Sequence, residues 1–233
     1  MNLIPYSDLC RLFPSAFEVT PDIYRKFTAY ADFLVDKNQV MNLTAITDPH
    51  GIAEKHFLDS VLPLGLFDVP DGASLVDVGT GAGFPGVPMA IMRPDIRLTL
   101  LDSLNKRINF LKELTGLLEL PAECIHIRAE DAGRGSLRES FDIATARAVS
   151  RLPILCEYCL PLVKTGGAFL AMKGDCQEEL EEAKNAISVL GGKVERMEEY
   201  ALPSGDKRTL VVIRKVKKTP EKYPRGQIKG KAL

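Results

Sequence analysis

Residues 77–86 read Asp77-Val-Gly79-Thr-Gly81-Ala-Gly83-Phe84-Pro85-Gly86, with an apolar run before them and a helical pattern after. Glycines permit positive φ and close approach of a ligand to the backbone, and the start of a helix offers free N–H groups. One tight turn needs fewer than three glycines at alternate positions, so the loop is expected to hold something. A ligand-free turn is the plain alternative. Gly81-Ala-Gly83-Phe-Pro-Gly86 also matches the dinucleotide fingerprint G-x-G-x-x-G. Counted from the turn at Gly79, however, the third glycine of that fingerprint would fall at position 84, which is Phe84. Asp77 stands two residues before Gly79, where a carboxylate suits a cationic ligand and repels a pyrophosphate.

The resulting D-x-G-x-G-x-G pattern is the one with which S-adenosylmethionine (SAM) enzymes set an acid near the sulfonium and amino-acid end of the cofactor. Asp102 closes the next apolar run, nineteen residues past Gly83. An acid there can accept both hydroxyls of an adenosine ribose, in NAD or SAM alike. A third run ends in Ile127-Arg-Ala129-Glu130-Asp131, where a polar or acidic residue meets an adenine amino group in class I methyltransferases. Polar strand ends without a ligand are the bland reading of all three.

Substrate chemistry is read by exclusion. After the fourth run comes Thr145-Ala-Arg147-Ala-Val-Ser-Arg151, and after the fifth Met172-Lys173-Gly174. The [DNS]-P-P-[YFW] tetrapeptide of exocyclic amine methylation is absent, as is a Pro-Cys nucleophile. A ribose 2′-hydroxyl site would need an acid where Arg147 stands. A pair of cations, Arg147 and Lys173, offers no general base and suits a nucleophile with a free lone pair and no proton to lose, such as guanine N7. For that atom, rate comes from orientation and desolvation. Both residues are positioning candidates and candidate RNA contacts, with no side chain assigned as acid or base; a structural, ion-paired Arg147 is the alternative. His56 and Asp59, one helical turn apart, read as organisers of the region over the cofactor rather than as a catalytic pair.

The elements that must carry these residues follow from periodicity. Ile23, Phe27, Tyr30 and Leu34 form a stripe on a helix of about four turns, with Thr20 as N-cap and Pro21 in its first turn. A polar link, 36–39, precedes a second amphipathic segment over 51–66. From Ala73, short runs (74–78, 96–101, 124–127, 141–145 and 168–172) alternate with helical segments (86–92, 105–118, 150–163 and 175–190). Runs 193–200 and 208–215 then follow around Pro203-Ser-Gly-Asp206. Alternation of this kind predicts βαβ units on a parallel sheet, closed here by an antiparallel hairpin. The expected fold is α/β of the class I SAM-dependent methyltransferase (Rossmann-like) kind, with seven mostly parallel strands. Residues 1–70 form a helical N-terminal cap, 71–215 the SAM-binding domain and 216–233 a basic tail.

The chain has 233 residues and formal net charge −1. That balance argues against a polyanionic partner until its distribution is read. From Arg214 onward eight Lys/Arg stand against Glu221 alone, so the tail carries +7 and the body −8. The tail, with Lys217, Lys218, Lys222 and Arg225, is therefore expected to bind RNA. Truncation after Ile213 is expected to spare SAM binding and weaken RNA methylation. Five cysteines in no framework spacing suggest reduced thiols. Cys156 and Cys159 have no second pair or nearby histidine, so no metal is expected. No apolar stretch is long enough to span a bilayer, and no signal-peptide pattern opens the chain, which suggests a cytoplasmic protein.

Asn42-Leu-Thr-Ala-Ile46, His56-Phe-Leu-Asp59-Ser60, the 77–86 loop, Leu101-Asp-Ser103 with Lys106-Arg107, Ala146-Arg-Ala148 and Tyr223-Pro-Arg225 together resemble the RsmG (GidB) family of bacterial small-subunit rRNA methyltransferases. The resemblance runs from about residue 20 to the tail. It implies SAM-dependent methylation of N7 of one guanine in the decoding region of 16S rRNA, as naked RNA or in the small ribosomal subunit; a monomer is expected. It also implies cofactor contacts at Gly79, Phe84, Ala129, Glu130 and Arg147, beside the class-level sites Asp77, Gly81, Gly83, Asp102 and Ser103. The segment after Arg225 is less proline-rich than the family pattern. An NAD(P)-linked oxidoreductase and a non-catalytic SAM- or RNA-binding protein are the competing readings.

Overall fold

Seven strands form one sheet in the order β3-β2-β1-β4-β5-β7-β6. They are β1 Ser74–Val78, β2 Arg97–Asp102, β3 Ala122–His126, β4 Phe141–Arg147, β5 Val163–Lys173, β6 Gly192–Ala201 and β7 Lys207–Lys215. The computed structural model describes residues 4–226, 228 and 233. Strands β1 to β5 are parallel, and β7 enters antiparallel between β5 and β6. All seven expected runs are strands, and the closing hairpin has the expected sense. Chain order reverses between β1 and β4, the place where open α/β sheets bind ligands.

Alternate side chains of each strand enter opposite cores. Leu98, Leu100, Leu170 and Leu210 join one cluster with Phe27, Tyr30, Leu34 and Phe57. Val76, Phe169, Ala171 and Val211 join the other with Leu155, Cys156, Ala183 and Ile187. The N-terminal helices therefore share a core with the sheet and form part of the layer on one face. Helix Pro21–Met41 is capped by Thr20, whose hydroxyl accepts from the Ile23 amide, as expected. It runs on through the polar link expected at 36–39, because those residues include no glycine or proline. It stops at Asn42 in the left-handed conformation (φ 51°), where the Asn38 side chain takes the Leu43 and Thr44 amides. Residues 49–66 form consecutive helical turns, of which Ile52–Leu58 is π-helical. A short helix, Ala129–Arg134, stands where no helix was expected.

The C-terminal segment departs most from expectation. Strands β5 and β7 pair Lys173 with Thr209 and Ala168 with Arg214, so the chain leaves β7 at the edge of the sheet opposite the ends of β1 to β5. Lys217 and Lys218 are exposed beyond that edge, away from Arg147 and Lys173. Lys215 is fully buried: its ammonium donates to the carbonyls of Leu160 and Val163 and to the Thr219 hydroxyl, 3.3 Å from Glu139. Burial pulls its pKa down to about 8, against the pull of Glu139. Arg214 is held by Glu195 and Arg225 by Glu157. The expected free basic arm is thus, over its described length, a strap packed against the protein. Lys229 and Lys231, counted in its charge, lie outside the described residues.

Truncation after Ile213 cuts into β7 and removes the buried amine and Thr219. It is expected to cost about 2–4 kcal/mol of stability, in addition to the loss of RNA methylation that the sequence suggested. Urea unfolding of the truncated chain and of Lys215→Met checks this; an unchanged midpoint in both would show that the strap contributes nothing to stability.

Candidate active site

The loop after β1 is shaped by a buried carboxylate. Asp77 has no exposed surface, and its Oδ2 accepts from the Thr80 hydroxyl (2.7 Å) and the Gly86 amide (2.8 Å). These bonds tie both ends of the loop to the strand. Burial raises the Asp77 pKa to about 6, against the two hydrogen bonds and the charge of Arg147. Asp77 lines neither of the clefts described below; its Oδ2 sets the backbone of the loop, and its Oδ1 is buried with no hydrogen-bond partner. Gly83 has φ 104°, and a Cβ there would meet the Tyr30 hydroxyl at 2.7 Å. Gly81, at φ 61°, is different: a Cβ would find no atom nearer than 4.0 Å, so the loop is open on that side.

A first cleft of about 220 Å³ lies across the ends of β1, β2 and β3. Val78, Leu101, Ile127, Val149 and Tyr158 supply apolar walls, and Gly79, Asp102, Ser103, Ala129 and Glu130 bring polar groups. Asp102 is nearly buried; Oδ1 accepts from the Leu104 amide, and Oδ2 from the Gly81 amide and more distantly from Arg107. It therefore also steadies the glycine loop. Sequence reasoning missed Val149, Ser150 and Tyr158, which reach this cleft from the β4 loop and the helix Leu152–Cys159.

A second cleft, about 380 Å³, is lined by Lys55, His56, Asp59, Arg147, Lys173 and Arg208, with Ile46, Ala148, Met172 and Gly174 completing the wall. The two cations singled out in the sequence thus come together. Asp59, nearly buried, accepts from Arg147 through Oδ2 and from Arg208 through Oδ1, both at 3.0 Å. Lys173 pairs with Glu179 (2.7 Å) and donates to the Ser150 carbonyl, and Lys55 pairs with Asp206 (2.9 Å). Four cations face three carboxylates, and each carboxylate is engaged by a cation.

Phe84 is almost buried between the cleft walls and the helical layer. Its ring stacks with His56 (4.5 Å between centroids) and Tyr30 (5.2 Å), and the Arg147 guanidinium lies 5.0 Å from its centre. It lines neither cleft and serves to wedge the loop against the helices. His56 Nε2 meets the Thr44 hydroxyl at 2.7 Å. Burial, then the charge of Arg147, lowers its pKa to about 4, so the ring is neutral near pH 7. His56 and Asp59 hold Phe84 and Arg147 from the helical layer, one by stacking and the other by an ion pair. Arg208 was missed; its signal was the hairpin register that sets β7 beside Lys173.

The remaining expected site residues lie elsewhere. Lys222 is exposed on the strap, its ammonium 5.2 Å from the Tyr223 ring centre, and Arg225 is spent on Glu157. Cys156 and Cys159 are buried, with thiol pKa values pushed up by desolvation, and no group of His, Cys, Asp or Glu among the described residues is arranged to hold a metal. No described helix is long and apolar enough to cross a membrane.

A family model described as rRNA small subunit methyltransferase G matches residues 23–211. Ribosomal RNA small subunit methyltransferase G of Lactobacillus acidophilus is 48% identical over 215 residues, covering 90% of each chain. Its namesake in Staphylococcus aureus is 51% identical over 211 residues, covering 89% of this chain and 88% of the other. Among solved structures, a SAM dependent methyltransferase from Aquifex aeolicus superposes with TM-score 0.54 at 20% identity, covering 72% of this chain and 94% of that one. M. jannaschii TYW2 in complex with AdoMet gives 0.53 at 15% identity, covering 66% and 74%. These two likenesses bear on the fold, which is that of SAM-dependent methyltransferases.

Two buried groups titrate with opposite sign. His56, lowered from 6.5 to about 4, makes the folded state lose stability as pH falls from 6.5 to 4. Asp77, raised from 3.8 to about 6, makes it lose stability as pH rises from 3.8 to 6. The two offset one another between about pH 4 and 6. Thermal melts of His56→Gln across pH 4–7 are expected to uncover the Asp77 slope, with stability rising on acidification relative to wild type. Parallel curves would disprove the lowered titration of His56, and a His56→Gln profile that is flat from pH 4 to 6 would disprove the raised titration of Asp77.

Proposed function

Given that the chain belongs to the rRNA small subunit methyltransferase G family, SAM-dependent enzymes of 16S rRNA, we propose that it methylates N7 of one guanine in the 16S decoding region, as a cytoplasmic monomer. The observation that carries this reading is the charge pattern of the second cleft. Asp59, Glu179 and Asp206 are each held by a cation, and His56 is a weakly basic neutral ring. Such a cleft has no group ready to take a proton, and guanine N7 has none to give.

The first cleft fits the cofactor by its donor set. Two carboxylates, Asp102 and Glu130, stand over apolar walls that suit an adenine ring, and the loop is open where a Cβ on Gly81 would project. In this reading Asp102 and Ser103 accept and orient the ribose hydroxyls, Ala129 and Glu130 take the adenine edge, and the Gly79 and Gly81 backbone permits close approach. SAM, when bound, supplies a methyl group activated by a positive sulfonium. The N7 lone pair forms the new N–C bond as the S–C bond breaks, and the positive charge passes to the base without proton transfer.

The protein's part is orientation and exclusion of water. Arg147, fixed by Asp59 and stacked near Phe84, and Lys173, fixed by Glu179, present rigid cations to the phosphates around the target base. The N-terminal helical region, described from residue 4, roofs this cleft through Lys55, His56 and Asp59. RNA contact is assigned here rather than to the strap, whose exposed Lys217 and Lys218 lie at the opposite edge of the sheet. Family membership sets aside the nicotinamide-linked oxidoreductase.

Labelled methyl transfer to 16S rRNA and to small-subunit particles, with the product base identified by mass spectrometry, tests the proposal. Incorporation as 7-methylguanine is expected; no incorporation into either form, or a methyl on another atom, defeats it. Gly81→Val is expected to abolish SAM binding by calorimetry while costing about 1–2 kcal/mol of stability, since a Cβ there meets no atom nearer than 4.0 Å and the left-handed backbone is strained. Retained affinity in that variant would mean that the loop does not hold the cofactor.

A further inference from the structure

The strap over residues 214–226 has a second property besides its contribution to stability. It grips the two helices that carry one wall of the first cleft. Helix Ala129–Arg134 begins with Ala129 and Glu130, and helix Leu152–Cys159 carries Tyr158; all three residues line the cleft. One turn on from Ala129 in the first helix, Pro224 packs so closely on Gly133 that a Cβ there would stand 3.0 Å from the proline ring. The Arg138 guanidinium donates to the carbonyls of Gly133, Thr219 and Tyr223, joining the carboxyl end of that helix to the strap.

On the second helix, Glu157 has no exposed surface and sits next to Tyr158 in sequence. Arg225 meets it in a forked arrangement, Nη2 donating to Oε2 at 2.7 Å and Nε to Oε1 at 3.0 Å, while the Arg225 amide also donates to Oε1 at 2.8 Å. A fully buried carboxylate needs such partners, and planar bidentate pairing fixes orientation as well as charge. Glu157 is in the last turn of its helix, so its position and that of Tyr158 are set together.

We propose that Arg225 is a positioning residue for cofactor binding: through Glu157, with Pro224 on Gly133, it braces the helices that present Tyr158 and Glu130 to the first cleft. Arg225 thereby acts on SAM affinity and not on RNA affinity. This rests on the reading of the first cleft as the SAM site. No charge of the strap need reach the substrate for the effect to operate.

The test measures SAM binding by calorimetry and RNA kinetics at saturating SAM in the full-length Arg225→Lys and Arg225→Ala variants. Arg225→Lys keeps the charge and loses the fork; it is expected to weaken SAM binding severalfold, and Arg225→Ala by about tenfold. The RNA KM and its salt dependence are expected to stay at the wild-type values, a split that a general loss of folded protein would not produce. Should the alanine variant fail to fold with Glu157 left unpaired, the lysine variant decides. Unchanged SAM affinity in the folded variants overturns the brace, as does a raised RNA KM with a shallower salt slope, which would return Arg225 to RNA contact. Wild-type protein measured alongside separates the two readings: if it binds no SAM, the assignment of the cleft itself falls and takes the brace with it.

Discussion

A carboxylate sealed from water draws donors from the protein around it, and Asp77 draws two from the loop that it precedes onto Oδ2, while Oδ1 is buried with no hydrogen-bond partner. Thr80 and Gly86 donate to the same oxygen, so the chain between them is drawn into a closed turn at the point where the order of strands reverses. The rest of the site follows from that turn. It brings the Gly81 amide to Asp102, which steadies the floor of the first cleft, and it projects Phe84 into the aromatic stack of Tyr30 and His56. The Tyr30 hydroxyl, donating to the Ala82 carbonyl at 2.6 Å, ties the turn to the longest helix. The glycines permit this conformation, and the buried acid selects it.

The second cleft obeys a different constraint. Four cations crowded into one concavity repel one another, and the three carboxylates that neutralise most of that charge come from distant parts of the chain. Asp59 joins the helical layer to β4 and β7 in one contact, because each oxygen is used by a different arginine. The cleft keeps a small positive surplus that suits a phosphate backbone. The fixed charges also cost the site any ready proton acceptor, which accords with methylation of an atom that needs none.

The net charge of −1 conceals two separate arrangements. The acidic body includes carboxylates that order the loop and line the first cleft, and the described cations Lys215, Lys217, Lys218 and Arg225 of the basic end divide between buried partners and the far edge of the sheet. Lys215 and Arg225 read in the sequence as members of one solvated run. In the fold, one is enclosed among backbone carbonyls and the other is clamped on Glu157. Charge run and interaction surface parted here because β7 is antiparallel: the same turn that completes the sheet sends the tail away from the strand ends.

What was legible in the sequence was what depends on local periodicity and local backbone chemistry. Alternation of short apolar runs with amphipathic segments was enough for the seven strands, the closing hairpin and the Thr20 cap. The spacing of Asp77 and the glycines located the loop, and Asp102 and Glu130 at strand ends marked the first cleft. Helix Ala129–Arg134 escaped because six residues carry too little periodicity to register, and the link at 36–39 was read as a break because polar residues look alike in a loop and on an exposed helix face. Contacts across the fold had no local signature. That Asp59 would divide itself between Arg147 and Arg208, that Phe84 would be a wedge, and that Arg225 would be drawn onto Glu157 were decided only when the sheet brought residues up to 149 positions apart into contact. A residue's type limits the bonds it can make; which of them it makes is set by the partners that packing leaves within reach.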